Sequence, residues 1–161
     1  MEVVVRKGKR EDCDVVLHLI KELAVYEREP DAVVIDVLQL EEDGFGKNPA
    51  YDLLIGEIDG EIKGMALFYE KYSTWKGRAL YLEDLIVTES ARGCGLGLQL
   101  FKEVIKEAHQ RSAGRMEWQV LDWNQSAIDF YKEFGASIES EWLNGRFSKE
   151  QIKNICENEG I

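Results

Sequence analysis

Cysteine, histidine and proline are scarce in this chain of 161 residues, and the first two shortages each close off a class of function. The three cysteines, Cys13, Cys94 and Cys156, are an odd number at wide separations with no CxxC pair, so neither a disulfide framework nor a zinc site is implied. Only His18 and His109 are present, too few for a histidine-rich metal centre, and no metal is expected. No run approaches the roughly 18 to 20 consecutive apolar residues that a membrane span needs. The opening Met1-Glu2-Val3-Val4-Val5-Arg6 lacks the basic head and longer apolar stretch of a secretory signal. A cytoplasmic protein with no membrane contact is the expectation. Positive charge is short as well: 20 Lys and Arg against 31 Asp and Glu give a net charge of −11. Such a field repels a phosphate backbone and attracts small cations, which makes nucleic acid a poor partner and a polyamine or basic amino acid a good one.

What is present is ordinary globular material, 45% apolar and 32% charged, enough for one domain over residues 1–161. Val3 to Arg6 reads as a strand. Val16, Leu19, Ile20, Leu23 and Val25-Tyr26 recur at helical spacing from about residue 12 to 28, where Pro30 ends the pattern. Asp36 can cap a shorter helix to about Glu42, closed by Asp43-Gly44-Phe45-Gly46. Leu53 to Ile58 and Ile62 to Tyr72 read as strands joined by a tight Asp59-Gly60 turn. After a loop at 73–77, Ala79 to Val87 is a strand that is apolar except for Glu83 and Asp84. A helix follows to about Gln110, with Leu98, Phe101, Val104, Ile105 and Ala108 on one face. Then come a strand at Met116 to Leu121, a helix at Gln125 to Phe134 closed by Gly135, a strand at Ser137 to Trp142, a turn at Asn144-Gly145, and a last helix with the Ser148/Gln151 capping-box spacing. This order predicts an α/β (α+β) domain: a three-layer αβα sandwich around a mixed, largely antiparallel sheet.

The most informative stretch is Arg92-Gly93-Cys94-Gly95-Leu96-Gly97, between the acidic strand and a helix. Glycines there let main chain come close to a partner, and the free amides at a helix start carry the positive end of its dipole. The turn therefore suits a phosphate or diphosphate, although a merely tight connection has the same composition. No Lys-Ser/Thr follows for a Walker-A loop, and Leu98 stands where a dinucleotide fingerprint needs its last glycine. The pattern is Arg-x-x-Gly-x-Gly, and on it the chain resembles the GCN5-related N-acetyltransferases (GNAT). The resemblance spans about residues 3 to 145. Ile20 to Ala24 with Tyr26-Glu27, Glu42 to Gly46, Tyr81 to Asp84, and Asn124 through Tyr131 to Ala136 are similar to the diamine (spermidine/spermine) N-acetyltransferase branch. Ser73 to Arg78 and Val120 to Gln125 are similar to its thialysine N-epsilon-acetyltransferase subgroup.

The resemblance implies a GNAT fold, acetyl-CoA as co-substrate, a small cationic amine as acceptor, and a homodimer. It implies that Arg92, Gly93, Cys94, Gly95, Leu96, Gly97 and Leu98 hold the diphosphate, and that Leu85, Ile86 and Val87 align the pantetheine arm. Asn124, Ser126, Ala127 and Tyr131 would lie beside the cofactor. Glu83 is then a substrate-binding base, Asp84 shares its charge, and Tyr131 is the general acid. Tyr26, Glu27 and Trp75 would line the acceptor site. Read from the residues alone, Glu83 or Asp84 could instead hold a loop, Tyr131 and Tyr26 could be core, Trp75 could be packing, and Asn124 a helix cap. Cys94 invites a nucleophile reading, but no histidine is nearby in sequence. Where polyamine enzymes carry aspartate two positions ahead of the loop tryptophan, this chain has Ser73, which favours a shorter amine or an amino-acid side chain over spermine. Two other readings fit the same residues: a GNAT enzyme for a protein N-terminus, lysine or antibiotic amine, and a non-catalytic acyl-CoA-binding module.

Overall fold

The structure is a computed structural model and describes residues 1–160. The chain forms two compact units, Met1–Gln119 and a second beginning at Val120. No helix among the described residues is long and apolar enough to cross a membrane.

The first unit contains β1 (Val3–Lys7), α1 (Cys13–Tyr26), α2 (Val37–Phe45), β2 (Asp52–Ile58), β3 (Glu61–Ser73), β4 (Gly77–Val87), α3 (Leu96–Gln110) and β5 (Met116–Glu117). The five strands lie in chain order in one sheet; β1 to β4 pair antiparallel, and β4 pairs with β5 in parallel. Local chemistry fixes the connections. Asp36 caps α2 by accepting the Gln39 amide at 2.8 Å, and Asp59 and Gly60 turn the β2–β3 hairpin with φ of 50° and 80°.

Alternation along the strands sorts the residues to two faces. Leu53 and Ile55 of β2, Met65 and Leu67 of β3 and Ile86 of β4 pack with Cys13, Val16, Leu17 and Leu19 of α1 and Leu40 of α2. The opposite face meets α3. Gly56 lies so close to it that a Cβ there would sit 2.7 Å from the Leu96 side chain, and Leu100, Phe101 and Val104 are buried. The first unit is thus itself a three-layer αβα arrangement with a mixed sheet. The buried stripe of α3 is Leu96, Leu100, Phe101, Val104 and Ala108; Leu98 and Ile105, expected on it, are exposed, because the stripe is rotated toward residue 100.

The second unit holds α4 (Gln125–Glu133) and α5 (Lys149–Glu159). The Ser148/Gln151 capping box is formed in both directions, at 3.1 and 2.8 Å, and Gly135 closes α4 with φ of 81°. Two strand expectations are corrected. The strand at 116–121 shrinks to Met116–Glu117, and Ser137 to Trp142 is irregular. Apolar alternation is only half of a strand; the other half is a neighbour with free edge groups, and the sheet ends at β5. Asn144-Gly145 adopts no turn either, since no second strand follows for it to join.

Candidate active site

A β-bulge organises the acidic strand. In the β3–β4 ladder Leu67 stands opposite Asp84 and Phe68 opposite Leu82, so Glu83 is an extra residue with no partner. A regular strand would send Glu83 and Asp84 to opposite faces. Here Asp84 shares the α1 face with Leu67, and the Glu83 carboxylate accepts the Tyr69 hydroxyl at 3.0 Å from the same face. Tyr69 stands opposite Tyr81, with ring centroids 5.4 Å apart.

Three carboxylates feel one another at this place. Asp84 is half-buried, and its pKa is pushed up to about 7, first by burial, then by the charges of Glu83 and Glu27. Glu27, at the end of α1, is raised by burial and by Glu83. Burial, reinforced by the hydrogen bond to Glu83, pushes the Tyr69 phenol up to about 12, so it stays a donor. Glu83 and Glu27 are the exposed members of the cluster. The arrangement is a negative surface with two accessible carboxylates, Glu27 and Glu83, and a third, Asp84, held at a proton affinity near neutrality, a combination suited to acid–base chemistry. Tyr69 and Tyr81 were not singled out in the sequence; the usable signal was their shared phase with Leu67 on a strand facing the acids.

The glycine turn lies at the other end of β4. Gly93 and Gly95 have φ of 81° and 85°, a region that other residues enter at a cost, and a Cβ on either would meet nothing within 4 Å. Gly97 is different: it lies inside α3 with an ordinary conformation, and a Cβ would make a normal 3.6 Å contact with Val87. Gly95 is the N-cap of α3 and no side chain caps the helix there, whereas Asp36, Asn124 and Ser148 cap α2, α4 and α5. The first amides of α3, from Leu96 to Leu98, thus lack a side-chain cap and carry the positive end of the helix dipole, next to two glycines whose Cβ positions are open. That geometry fits a diphosphate. Cys94 donates its thiol to the Ala91 carbonyl at 2.9 Å, a structural contact within the turn. The ladder with β5 covers only Leu80 and Tyr81 of β4, so among the described residues no strand pairs with the edge from Leu82 to Val87 on that side. Ile86 is buried in the α1 face, and Leu85 and Val87 are half-buried.

The first unit therefore brings together Glu27, Glu83 and Asp84, and carries Tyr26 with Arg92 at the turn: the Arg92 guanidinium lies over the Tyr26 ring, 5.1 Å from its centroid. It does not bring Trp75 to the acids. Trp75 is exposed at the tip of the β3–β4 hairpin, and Glu83 is six residues along the strand from Gly77, about 20 Å at the usual rise. Ser73 is buried in that hairpin, where its hydroxyl oxygen accepts the amides of Trp75 and Lys76 at 3.2 and 3.1 Å and an Arg115 nitrogen at 3.2 Å. It holds the turn and does not face the acid cluster. Asn124, Ser126, Ala127 and Tyr131 belong to the second unit. Asn124 accepts the Ala127 amide as the cap of α4, and Tyr131 is buried with its ring 5.4 Å from that of Phe130.

A model of the Acetyltransferase (GNAT) family matches residues 13–136, a span that includes the bulged acidic strand, the glycine turn and α4. The chain belongs to the GNAT acetyltransferase family. A thialysine N-epsilon-acetyltransferase of Bos taurus is 40% identical over 96% of this chain and 97% of its own. Spermidine/spermine N(1)-acetyltransferase-like protein 1 of Homo sapiens is 35% identical over 94% of this chain and 23% of its own length. Among solved structures, an integron cassette protein from the mobile metagenome of V. cholerae superposes with a TM-score of 0.78 at 25% identity, covering 97% of this chain and 98% of that one. As a GNAT enzyme the chain is an N-acetyltransferase, and the family's co-substrate is acetyl-CoA.

Proposed function

We propose that this GNAT enzyme acetylates the primary amine of a short cationic acceptor, a thialysine- or lysine-like side chain or a small diamine, and that Glu83 and Asp84 act on it as a pair. The observation that carries this is the bulge, which turns two neighbouring carboxylates to one face and leaves Asp84 with a pKa near 7. A primary amine with pKa about 10 arrives as ammonium. Exposed Glu83 and nearby Glu27 bind that cation. Moving its proton to an ordinary carboxylate near pKa 4 is uphill by about 8 kcal/mol; moving it to a group near 7 is uphill by about 4. The difference is worth roughly a thousandfold in the population of the neutral pair, free amine beside protonated carboxyl, formed by direct transfer. Glu83, which the sequence reading made the base, meets the ammonium, and Asp84 supplies the proton affinity.

When bound, acetyl-CoA supplies the acetyl group as a thioester. Gly93, Gly95 and the amides of Leu96, Gly97 and Leu98, with Arg92, hold its diphosphate, and the β4 edge at Leu85 to Val87, which β5 does not cover, suits an amide-bearing arm. Tyr131 is assigned to give its hydroxyl proton to the departing thiolate, which would leave as the thiol, with Asn124, Ser126 and Ala127 at the start of the same helix beside the donor. A homodimer remains the expected working unit, checkable by sedimentation. The preference for a short amine rests on the identity to thialysine acetyltransferases and on the compact acid cluster, because Ser73 is occupied within its hairpin. The deciding experiment is a thiol-release assay with acetyl-CoA and thialysine, lysine, putrescine, spermidine and a protein N-terminal peptide. Turnover of thialysine or putrescine well above the peptide supports the reading; turnover of the peptide alone, or none at all, overturns it.

A further inference from the structure

Two contacts join α1 to the glycine turn, and they come from one stripe of the helix. The Glu22 carboxylate accepts the Thr88 hydroxyl and the Glu89 amide, both at 2.9 Å. One turn later Tyr26 presents its ring to the Arg92 guanidinium. Residues four apart stack on a helix face, so the entrance of the turn and its arginine are both registered against the same two turns of α1.

Arg92 is held without a carboxylate in a chain rich in acids. Its Nε donates to the Val87 carbonyl at 3.2 Å, and among the described residues no carboxylate pairs with it. Arg6, Arg10, Arg78, Arg111 and Arg115 all have acidic partners. An aromatic face orients a cation without cancelling its charge, whereas a carboxylate does both. With a net charge of −11 opposing any anion, an arginine steered by a ring keeps its full charge for a ligand.

We propose that Tyr26 is a positioning residue for the acetyl donor: its ring fixes the Arg92 guanidinium beside the glycine turn, so its loss is felt in donor binding and not in amine binding. This rests on the reading of residues 92–97 as the diphosphate cradle, and it moves Tyr26 away from the acceptor site to which the resemblance assigns it. Glu27, the next residue, stays with the acids, so the end of α1 serves the donor through one side chain and the amine through its neighbour.

The test is calorimetric titration of coenzyme A into the full chain and into Y26L, Y26F, R92A and the Y26L/R92A double variant, with KM measured for both substrates. Arg92→Ala should weaken coenzyme A binding about tenfold, and Tyr26→Leu about threefold. Tyr26→Phe keeps the ring and should restore the affinity, and the double variant should bind no more weakly than Arg92→Ala alone. Donor KM should rise in Tyr26→Leu while amine KM holds. If Arg92→Ala binds as the unaltered chain does, the cradle reading fails and the proposal with it. If Arg92→Ala weakens binding but Tyr26→Leu does not, or adds its full factor on top of Arg92→Ala, or raises only the amine KM, the cradle stands and the role of Tyr26 is overturned.

Discussion

Replacing Asp84 by asparagine should make the protein more stable and less active, and the stability gain should depend on pH in a calculable way. The Asp84 carboxyl has a pKa of about 7 in the fold against 3.8 as an unperturbed group. A raised carboxylate favours the folded state fully only below the unfolded value. As pH climbs from about 4 to 7 the unfolded chain ionises while the folded one resists, and stability falls by up to about 1.4 kcal/mol per pH unit. Above 7 both states are ionised and the loss levels off. Between pH 5 and pH 8 the Asp84 contribution therefore falls by about 2 to 3 kcal/mol, a loss that Asp84→Asn does not suffer. At this chain length that is roughly 5 to 10 °C in Tm. Urea unfolding of both proteins at the two pH values measures it, and the gap between them should widen toward pH 8. A gap that is the same at both pH values would show that Asp84 ionises freely, and the assignment of its proton affinity would be wrong. The same variant should lose the acidic limb near pH 7 in the kcat/KM profile along with most of its activity.

Glu83→Gln should raise the amine KM and lower kcat/KM at least tenfold with donor KM little changed, as steady-state kinetics would register. Tyr131→Phe should slow turnover while coenzyme A affinity, read by calorimetry, stays within twofold. Gly95→Ala places a Cβ at a φ of 85° and should cost about 1 kcal/mol or more of stability and weaken coenzyme A binding, whereas Gly97→Ala should cost the fold little; thermal melts compare the two. Asp12 is buried, and its carboxyl is held below the usual range chiefly by hydrogen bonds from Arg6, at 2.8 and 2.9 Å. That stabilisation is complete above the unfolded pKa and is lost as pH falls through the lower folded one. Asp12→Asn should therefore cost about 1 to 3 kcal/mol at pH 7 and much less near pH 2, checked by urea unfolding.

Much of this was legible in the residues. Helix starts came from their caps, as at Asp36 and Ser148, and hairpins from Asp59-Gly60, because those signals are local and the structure has little freedom to contradict them. The glycine turn was legible for the same reason, although its composition could not say that Gly93 and Gly95 are required by conformation and Gly97 is not. Ser137 to Trp142 failed because a strand depends on an edge elsewhere in the chain, which no window of residues reveals. The stripe of α3 slipped by part of a turn since Leu98 and Ile105 are as apolar as the residues that are buried. The bulge was invisible for a deeper reason: strict alternation would send Glu83 and Asp84 to opposite faces, and the site exists where that alternation is broken. The contacts of Tyr69 with Glu83 and of Glu22 with Thr88 were hidden for another reason, since they join residues 14 and 66 positions apart.

That single surplus residue also reverses the phase of β4. From Gly77 to Leu82 the even-numbered side chains look toward α3; from Asp84 to Val87 they look toward α1. The hydrophobic layers above and below the sheet are thus satisfied on both sides of the defect, and the two acids occupy the seam where the phases meet. Shortening the strand by one residue at 83 would mend the ladder and leave a lone aspartate between apolar neighbours, trading a proton-handling device for an uninterrupted sheet.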